Sequence, residues 1–132
     1  MTIIDKLAWI EIKDYAILST KSFGKDTFYI PGGKREAGET DMEALCREIK
    51  EELTVDLDKS SVKYFGTFQA PAHGQPEGVE VRMTCYTATY QGQISASAEI
   101  AEVSWLNYSA IETVSAVDKI IFNHLKEIGW LK

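Results

Sequence analysis

Long hydrophobic runs are absent from this 132-residue chain. No apolar stretch approaches the roughly 20 residues that a membrane helix needs. The opening stretch, MTIIDKLAWIEIKDYAIL, also lacks a basic start followed by an apolar segment and a small-residue cleavage site, so it does not resemble a signal peptide. These absences argue against a membrane protein, and the length predicts one globular domain over residues 1–132.

Cysteine is scarce as well, with Cys46 and Cys85 as the two examples. Two cysteines do not make the disulfide framework on which small secreted domains rely. Both fall inside predicted elements, at positions that suit burial. We therefore expect reduced cysteines in the core of a cytoplasmic protein.

Positive charge is the third shortage. The chain has 14 Lys and Arg against 20 Asp and Glu, a net charge of −6, and it contains no basic run. Because general nucleic-acid binding relies on clustered Lys and Arg, this composition argues against a nucleic-acid partner. A phosphate-bearing small molecule is still compatible with the chain if metal ions stand between the two sets of negative charge.

Alternation of apolar and polar residues predicts most of the strands. We expect a β-hairpin where residues 8–12 turn at Lys13-Asp14 into residues 15–19, and a last helix that begins near Ser115. The other predicted strands are 27–30, 62–69, 79–90 and 102–106. The order β-β-β-α-β-β-β-α predicts an α/β fold in which a mixed sheet is flanked by helices.

Residues 40–53 predict a helix that carries a crowded acidic group. Thr40 and Glu43 form a capping-box pattern at its start. At about 100° per residue, Glu48, Glu51 and Glu52 fall on one flank beside the apolar stripe. Like charges at i,i+4 each cost about 0.2–0.5 kcal/mol even when they are exposed. A solvated acidic face is one interpretation, and a site for Mg²⁺, which prefers oxygen ligands and substrate phosphates, is the other.

This stretch resembles the Nudix box, G-x5-E-x7-R-E-U-x-E-E-x-G-U, where U is a bulky apolar residue. The match runs from Gly33 through Glu39, Arg47 and the three glutamates to Val55, and Pro31-Gly32 resembles the usual lead-in. Thr54 departs from the family, which usually has Gly there, so the geometry of the helix C-terminus is open. The resemblance implies the compact α/β/α sandwich of Nudix proteins.

The resemblance also implies a chemistry and a set of roles. Nudix enzymes use Mg²⁺ or Mn²⁺ to hydrolyse a nucleoside diphosphate linked to another group. By position, Glu48, Glu51 and Glu52 would bind metal, with Glu52 as the principal ligand and a backbone carbonyl near Gly32 or Gly33 as another. Glu39 and Arg47 would form a supporting salt bridge between loop and helix.

Residues outside the box are weaker candidates. Family members often recruit one more carboxylate from a later loop, and in MutT-like relatives the segment SASAEIAEVSWL resembles the one that carries it. Glu99 is preferred there over Glu102, and Glu80 is a further candidate. Arg82 could pair with Glu80 or reach a substrate phosphate. Candidates for base stacking are Phe28, Phe68 and Tyr86, although aromatic residues on strands are more often core. His73 lies in a Pro- and Gly-rich loop that could close over substrate, although a lone loop histidine is usually just exposed.

Two functions are compatible with these patterns. The intact acidic positions favour an active MutT-like pyrophosphohydrolase that acts on a nucleoside triphosphate or another nucleoside diphosphate derivative. The alternative is a catalytically inactive Nudix-fold module that binds or senses a nucleotide. A calcium-binding helix is set aside because the alternating Asp/Asn loop of an EF-hand is missing. The sequence does not identify the nucleotide, and it leaves a homodimer open.

Overall fold

The computed structural model describes residues 2–72 and 75–132, so the predicted role of His73 lies outside the described residues. Within these ranges the chain forms nine strands, two α-helices and two short 3-10 helices. The helices are α1 (Asp41–Leu53) and α2 (Ala116–Glu127), with 3-10 turns at Lys59–Ser61 and Tyr108–Thr113. The strands are β1 (Thr2–Trp9), β2 (Ile12–Lys13), β3 (Ala16–Ser22), β4 (Gly32–Gly33), β5 (Asp56–Leu57), β6 (Lys63–Pro71), β7 (Val79–Thr87), β8 (Tyr90–Gln91) and β9 (Ile100–Leu106).

The centre of the fold is a mixed sheet with the strand order β4-β1-β7-β6. β1 runs parallel to β7, whereas β4 and β6 pair antiparallel with their neighbours. A second, antiparallel sheet has the order β2-β3-β9, and β5 pairs with β8. Side chains alternate along the end of β1 and into the residue after it, so Leu7 and Trp9 enter one apolar cluster, while Ala8 and Ile10 enter the other.

Helix α1 covers one face of the central sheet. Thr40 caps its start, because the hydroxyl accepts from the Glu43 N–H and the Glu43 carboxylate accepts from the Thr40 N–H, as predicted. Ala44, Leu45, Ile49 and Leu53 are fully buried with the Leu7 side of β1. Each large aliphatic side chain buried there stabilises the fold by about 1.5–3 kcal/mol. Met42, which the helical spacing also placed on this stripe, is 38% exposed.

Helix α2 covers the opposite face. Val117, Ile121, Phe122 and Leu125 pack with Met83 and Cys85 of β7. The helix begins after Ser115, as predicted. Helical spacing predicts an apolar stripe that includes Ile120 and Ile128, but each of them is 42% exposed. The buried face is therefore rotated toward Phe122 relative to the predicted stripe. The two helices and the central sheet together form the expected α/β/α arrangement of mixed sheet and flanking helices.

Three strand predictions require correction. Residues 27–30 form isolated bridges, Phe28 with Val114 and Tyr29 with Thr20, and the continuous strand is β4 instead. The predicted hairpin is confirmed only at β2 and β3, because residues 8 and 9 belong to the central sheet. The strand predicted over 79–90 ends at Thr87, and Tyr90 starts β8. Among the described residues, no helix is long and apolar enough to cross a membrane.

Candidate metal and active site

Two glycines bring β4 against helix α1. Gly32 pairs with Ala8 and has a φ of 149°, a conformation that side chains rarely adopt, and a Cβ there would overlap the Leu7 carbonyl. A Cβ on Gly33 would overlap the Glu48 carboxylate. The double glycine is therefore required by close approach on both sides, and it leaves room for a carboxylate beside the backbone.

Glu52 is the most buried of the three box glutamates that sequence analysis singled out. Its relative exposure is 7%, and its Oε1 accepts from the Gly32 N–H at 3.2 Å. Burial, together with the nearby charges of Glu48 and Glu99, raises the pKa of Glu52 to about 8 against the opposing effect of the Gly32 hydrogen bond. Among the described residues, Glu52 forms no ion pair with a Lys or Arg side chain.

Glu48 lies one turn earlier on the same side of α1. Its side chain is 16% exposed, and its Oε1 accepts from Arg47 Nη1 at 2.8 Å. Burial raises the pKa of Glu48, Arg47 counteracts that shift, and Glu51 and Glu99 add to it. Glu48 and Glu52 thus form a partly neutralised acidic pair on the inner flank of the helix.

Arg47 joins the loop before the helix to the glutamates on it. Its Nε and Nη2 donate to the two oxygens of Glu39 at 2.7 and 2.9 Å, and Nη2 also donates to the Lys34 carbonyl at 3.1 Å. The guanidinium lowers the pKa of Glu39 to about 2, and the pKa of Arg47 itself is raised. The pair that sequence analysis expected between Glu39 and Arg47 is therefore formed, in the bidentate geometry that only Arg provides.

Glu51 lies apart from Glu48 and Glu52, although the helical wheel predicts all three on one flank, whereas Glu99 joins the other two at the cleft. Glu51 is on the outer side of α1, 54% exposed and 3.5 Å from Arg47 Nη1. Glu99, from the turn before β9, lines the same cleft as Glu48 and Glu52. Glu102, the alternative to Glu99, points to Lys21 at 3.3 Å instead.

The other predicted binding residues lie outside the residues that line this cleft. Arg82 is 3.6 Å from Asp5, and Glu80 accepts from Gln69 Nε2 at 2.8 Å. Phe28 packs against the α2-side core, with Lys21 over its ring. Their assignment to substrate binding stays a prediction. Phe68 packs with Phe65 and His124, and the hydroxyl of Tyr86 donates to Asp41.

The cleft itself contains groups that sequence reasoning missed. It has a volume of about 340 Å³, and its walls include Lys6, Lys25, Lys34 and Tyr29. A second cavity of about 200 Å³ shares Lys6 and Tyr29 with it and extends toward the start of α2. Lys6 alternates with Ile4 and Ala8 on the apolar side of β1, and this isolated cation on an apolar face was the available signal.

The donor set fits a hard divalent cation. Glu48, Glu52 and Glu99 line one cleft, and carboxylate oxygens are the ligands that Mg²⁺ prefers. Burial raises the pKa of Glu48 and Glu52, and a bound cation would oppose that shift. Within the part of the chain that the structure describes, no three such side chains are already arranged as a metal shell. Glu48 is turned toward Arg47 and Glu51 toward solvent, so their side chains would have to rotate.

Comparison with known proteins gives a consistent result. The model of the NUDIX domain matches residues 7–125, which is most of the chain. No curated protein matches the sequence. One similar solved structure is that of the E. coli ORF135 protein, which has 22% sequence identity and a TM-score of 0.75. The match covers 97% of this chain and 91% of that one. Another is a MutT NUDIX hydrolase from Burkholderia pseudomallei, with 19% identity and a TM-score of 0.74, covering 93% and 98%.

A third similar structure is the mutator MutT protein from Bacillus halodurans. It has 25% identity and a TM-score of 0.70, and the match covers 92% of this chain and 80% of that one. At these identities the structural likeness concerns the fold. The residues matched by the domain model include all of β4, α1 and the turn that carries Glu99.

Proposed function

The chain belongs to the Nudix family, and we propose that it is a Mg²⁺-dependent pyrophosphohydrolase. It acts on a nucleoside triphosphate or another nucleoside diphosphate derivative, and Mn²⁺ can replace Mg²⁺. The observation that carries this proposal is the convergence of Glu48, Glu52 and Glu99 on one cleft that also contains lysines. Carboxylates suit the metal, and lysines suit the phosphates that the metal does not cover.

The metal would be held by Glu48 and Glu52, with Glu51 and the Gly33 carbonyl as further ligands. When bound, it supplies Lewis-acid stabilisation of phosphate charge and lowers the pKa of water. Glu99 borders the same space from a different element, and a carboxylate in that place can accept a proton from water and orient it. Glu39 and Arg47 keep the glycine turn and α1 in register.

The lysines on the cleft wall bind the polyphosphate chain in this proposal. Lys6, Lys25 and Lys34 come from three separate segments and line the cavity that contains the glutamates. Phosphoryl-transfer catalysis depends chiefly on positioning and on electrostatic stabilisation. Tyr29 lies where the two cavities meet, next to the space that remains for the nucleoside.

We also propose that the chain acts as one domain on small soluble nucleotides. Its acidic composition, with a net charge of −6, argues against RNA as the principal substrate.

Reduced cysteines fit a cytoplasmic protein, and both Cys46 and Cys85 are free in the structure.

The test is release of phosphate or pyrophosphate across a panel of nucleoside triphosphates, oxidised nucleotides, ADP-ribose and dinucleoside polyphosphates with Mg²⁺. Wild type is compared with Glu52→Gln and with Glu127→Gln, an exposed glutamate of α2 that serves as the matched control. We expect turnover of one substrate class that collapses only in Glu52→Gln. Tight nucleotide binding by calorimetry without any turnover would instead identify a sensing module.

A further inference from the structure

Thr54 ends helix α1 in an unfavourable backbone conformation. Its φ is 63° and its ψ is 20°, in the left-handed region where glycine is favoured and a β-branched residue is a true outlier. The family's usual residue at this position is Gly, so the chain carries a strained residue where an unstrained one is available. A strained residue that persists requires a compensating interaction from its surroundings.

The compensating interaction is on the threonine side chain. Thr54 Oγ1 donates to the Gln93 carbonyl at 3.2 Å, a contact that glycine could not make. Gln93 opens the segment 93–99, which runs back along the end of α1 to the cleft. The Ser95 N–H donates to the Leu53 carbonyl, and the Ser97 N–H donates to the Glu52 carbonyl, both at 3.0 Å. The segment therefore satisfies carbonyls that the end of the helix leaves without helical partners.

The same segment ends at Glu99. Ala98, just before it, also has a left-handed φ of 54°, and the Ile100 N–H closes the turn onto the Ser97 carbonyl at 3.0 Å. The Glu99 carbonyl accepts from the Phe23 N–H at 3.0 Å, which fixes the far side of the turn. The position of the Glu99 carboxyl in the cleft thus depends on how residues 93–97 are seated on α1.

We propose that Thr54 is a positioning residue, whose hydroxyl ties the segment 93–99 to the C-terminus of α1 and so sets Glu99 beside Glu48 and Glu52. The inference rests on the proposed function for the meaning of that placement, because Glu99 matters as an acid, base or ligand only if the cleft hydrolyses a diphosphate. The tether itself is independent of turnover. It explains why this chain has a threonine where the Nudix box usually has a glycine.

Three substitutions separate the hydroxyl from the backbone strain. Thr54→Ser keeps the hydroxyl. Thr54→Val is nearly isosteric, keeps the β-branch and loses the donor. Thr54→Gly loses the donor but removes the strain, so its thermal midpoint should be unchanged or higher. Thr113→Val is the matched control, because Thr113 Oγ1 makes a comparable bond to the Ala110 carbonyl at 2.7 Å in the 3-10 helix away from the cleft.

The first measurement is amide hydrogen exchange at Ser95 and Ser97 in metal-free protein. We expect exchange to be about tenfold faster in Thr54→Val and Thr54→Gly, with Thr54→Ser and Thr113→Val close to wild type. The second is steady-state kinetics, in which the same two variants lose about tenfold in kcat with KM changed less than twofold, because a misplaced group costs rate rather than binding. Thr54→Ser restores both values.

The outcomes separate the tether from its role in placing Glu99 and from the proposed function. Unchanged exchange in Thr54→Val and Thr54→Gly overturns the tether, and faster exchange with unchanged kcat overturns its role in placing Glu99. A loss of kcat that follows thermal stability across all variants would show a merely structural role. If wild type turns over no nucleotide, the proposed function fails, while faster exchange rescued by serine still establishes the tether.

Discussion

Glu52 combines a carboxylate with an almost fully buried position. Its pKa is raised to about 8 from an ordinary value of 4.5, because burial and nearby carboxylates disfavour its ionised form. When folding raises the pKa of an acid, the folded protein loses stability as the pH rises from the unfolded-state pKa to the folded-state pKa. The metal-free protein should therefore become less stable between about pH 4.5 and about pH 8, as far as this residue is concerned.

Substitution of Glu52 by Gln should remove that loss. The amide oxygen can still accept from the Gly32 N–H, but it carries no charge. In EDTA we expect Glu52→Gln to exceed wild type in unfolding free energy by about 1–3 kcal/mol at pH 8 and by little at pH 5. Urea unfolding at both pH values measures the difference. A variant that is less stable than wild type at pH 8 would contradict the assignment of an uncompensated buried charge.

Arg47 acts through its planar geometry as much as through its charge. It holds both oxygens of Glu39 and one of Glu48, which a lysine ammonium cannot do at once. We expect Arg47→Lys to lower kcat and Mg²⁺ affinity by about 10–100-fold, because this is the usual effect of losing a side chain that orients a metal ligand.

Lys50→Ala is the control for Arg47→Lys. Lys50 lies on the same helix but pairs with exposed Asp56 at 3.2 Å, away from the glutamates. Steady-state kinetics and calorimetry of Mg²⁺ binding compare the two. Equal effects of both substitutions would show that general positive charge, and not the Arg47 geometry, supports the site.

At the scale of elements, the connection between α2 and the segment before β4 depends on Asp118. This residue is fully buried, and its Oδ2 accepts from the Ile30 N–H at 3.0 Å, two residues before Gly32. Burial raises its pKa to about 7 from 3.8. Because folding again raises the pKa of an acid, the stability that Asp118 contributes is lost as the pH rises from about 4 to about 7.

Two substitutions of Asp118 should differ in direction. Asp118→Ala leaves a buried N–H without an acceptor, and we expect it to destabilise the protein by about 1–3 kcal/mol at pH 5. Asp118→Asn keeps an acceptor and should flatten the dependence of the thermal midpoint on pH between 5 and 7. Differential scanning calorimetry at several pH values decides this. An unchanged pH dependence in Asp118→Asn would rule out a role for its ionisation.

Local rules explain which elements the sequence could predict. Capping at Thr40 and helical spacing placed α1 within one residue, because both signals are local. Residues 27–30 resisted prediction because their hydrogen bonds go to Thr20 and to the 3-10 helix near Val114, which are distant partners. The exposure of Glu51 was missed because a helical wheel does not say how the helix is rolled against the sheet.

The candidate site divides in the same way. Glu39, Arg47, Glu48 and Glu52 follow from the spacing of one motif. Lys6 reaches the cleft on β1, which begins at Thr2 and not at residue 8 as predicted, and Tyr29 reaches it through an isolated bridge to Thr20. The sequence marks Asp118 only as an acidic residue in the first turn of the last helix, and it does not predict the hydrogen bond to Ile30. Long-range pairing, and not local propensity, decides which of these groups meet.

At the scale of the whole molecule, metal binding and stability should be linked. The cleft joins β4, α1 and the turn before β9, so a ligand held there connects elements that are distant in sequence. A ligand that binds only the folded state stabilises it by about 2.7 kcal/mol at 100 times its dissociation constant. We expect Mg²⁺ to raise the thermal midpoint of wild type at pH 8 but not that of Glu52→Gln. Equal shifts in both would place the cation elsewhere.

In the proposed function, the carboxylates of this cleft and a divalent cation together hydrolyse a nucleoside diphosphate linkage. The most direct measurement is the turnover of a nucleoside triphosphate as Mg²⁺ is titrated, in wild type and in Glu52→Gln. We expect no turnover in EDTA, saturable activation by Mg²⁺ in wild type, and a loss of at least about 100-fold in the variant. Activity that persists in EDTA, or that survives in Glu52→Gln, would contradict it.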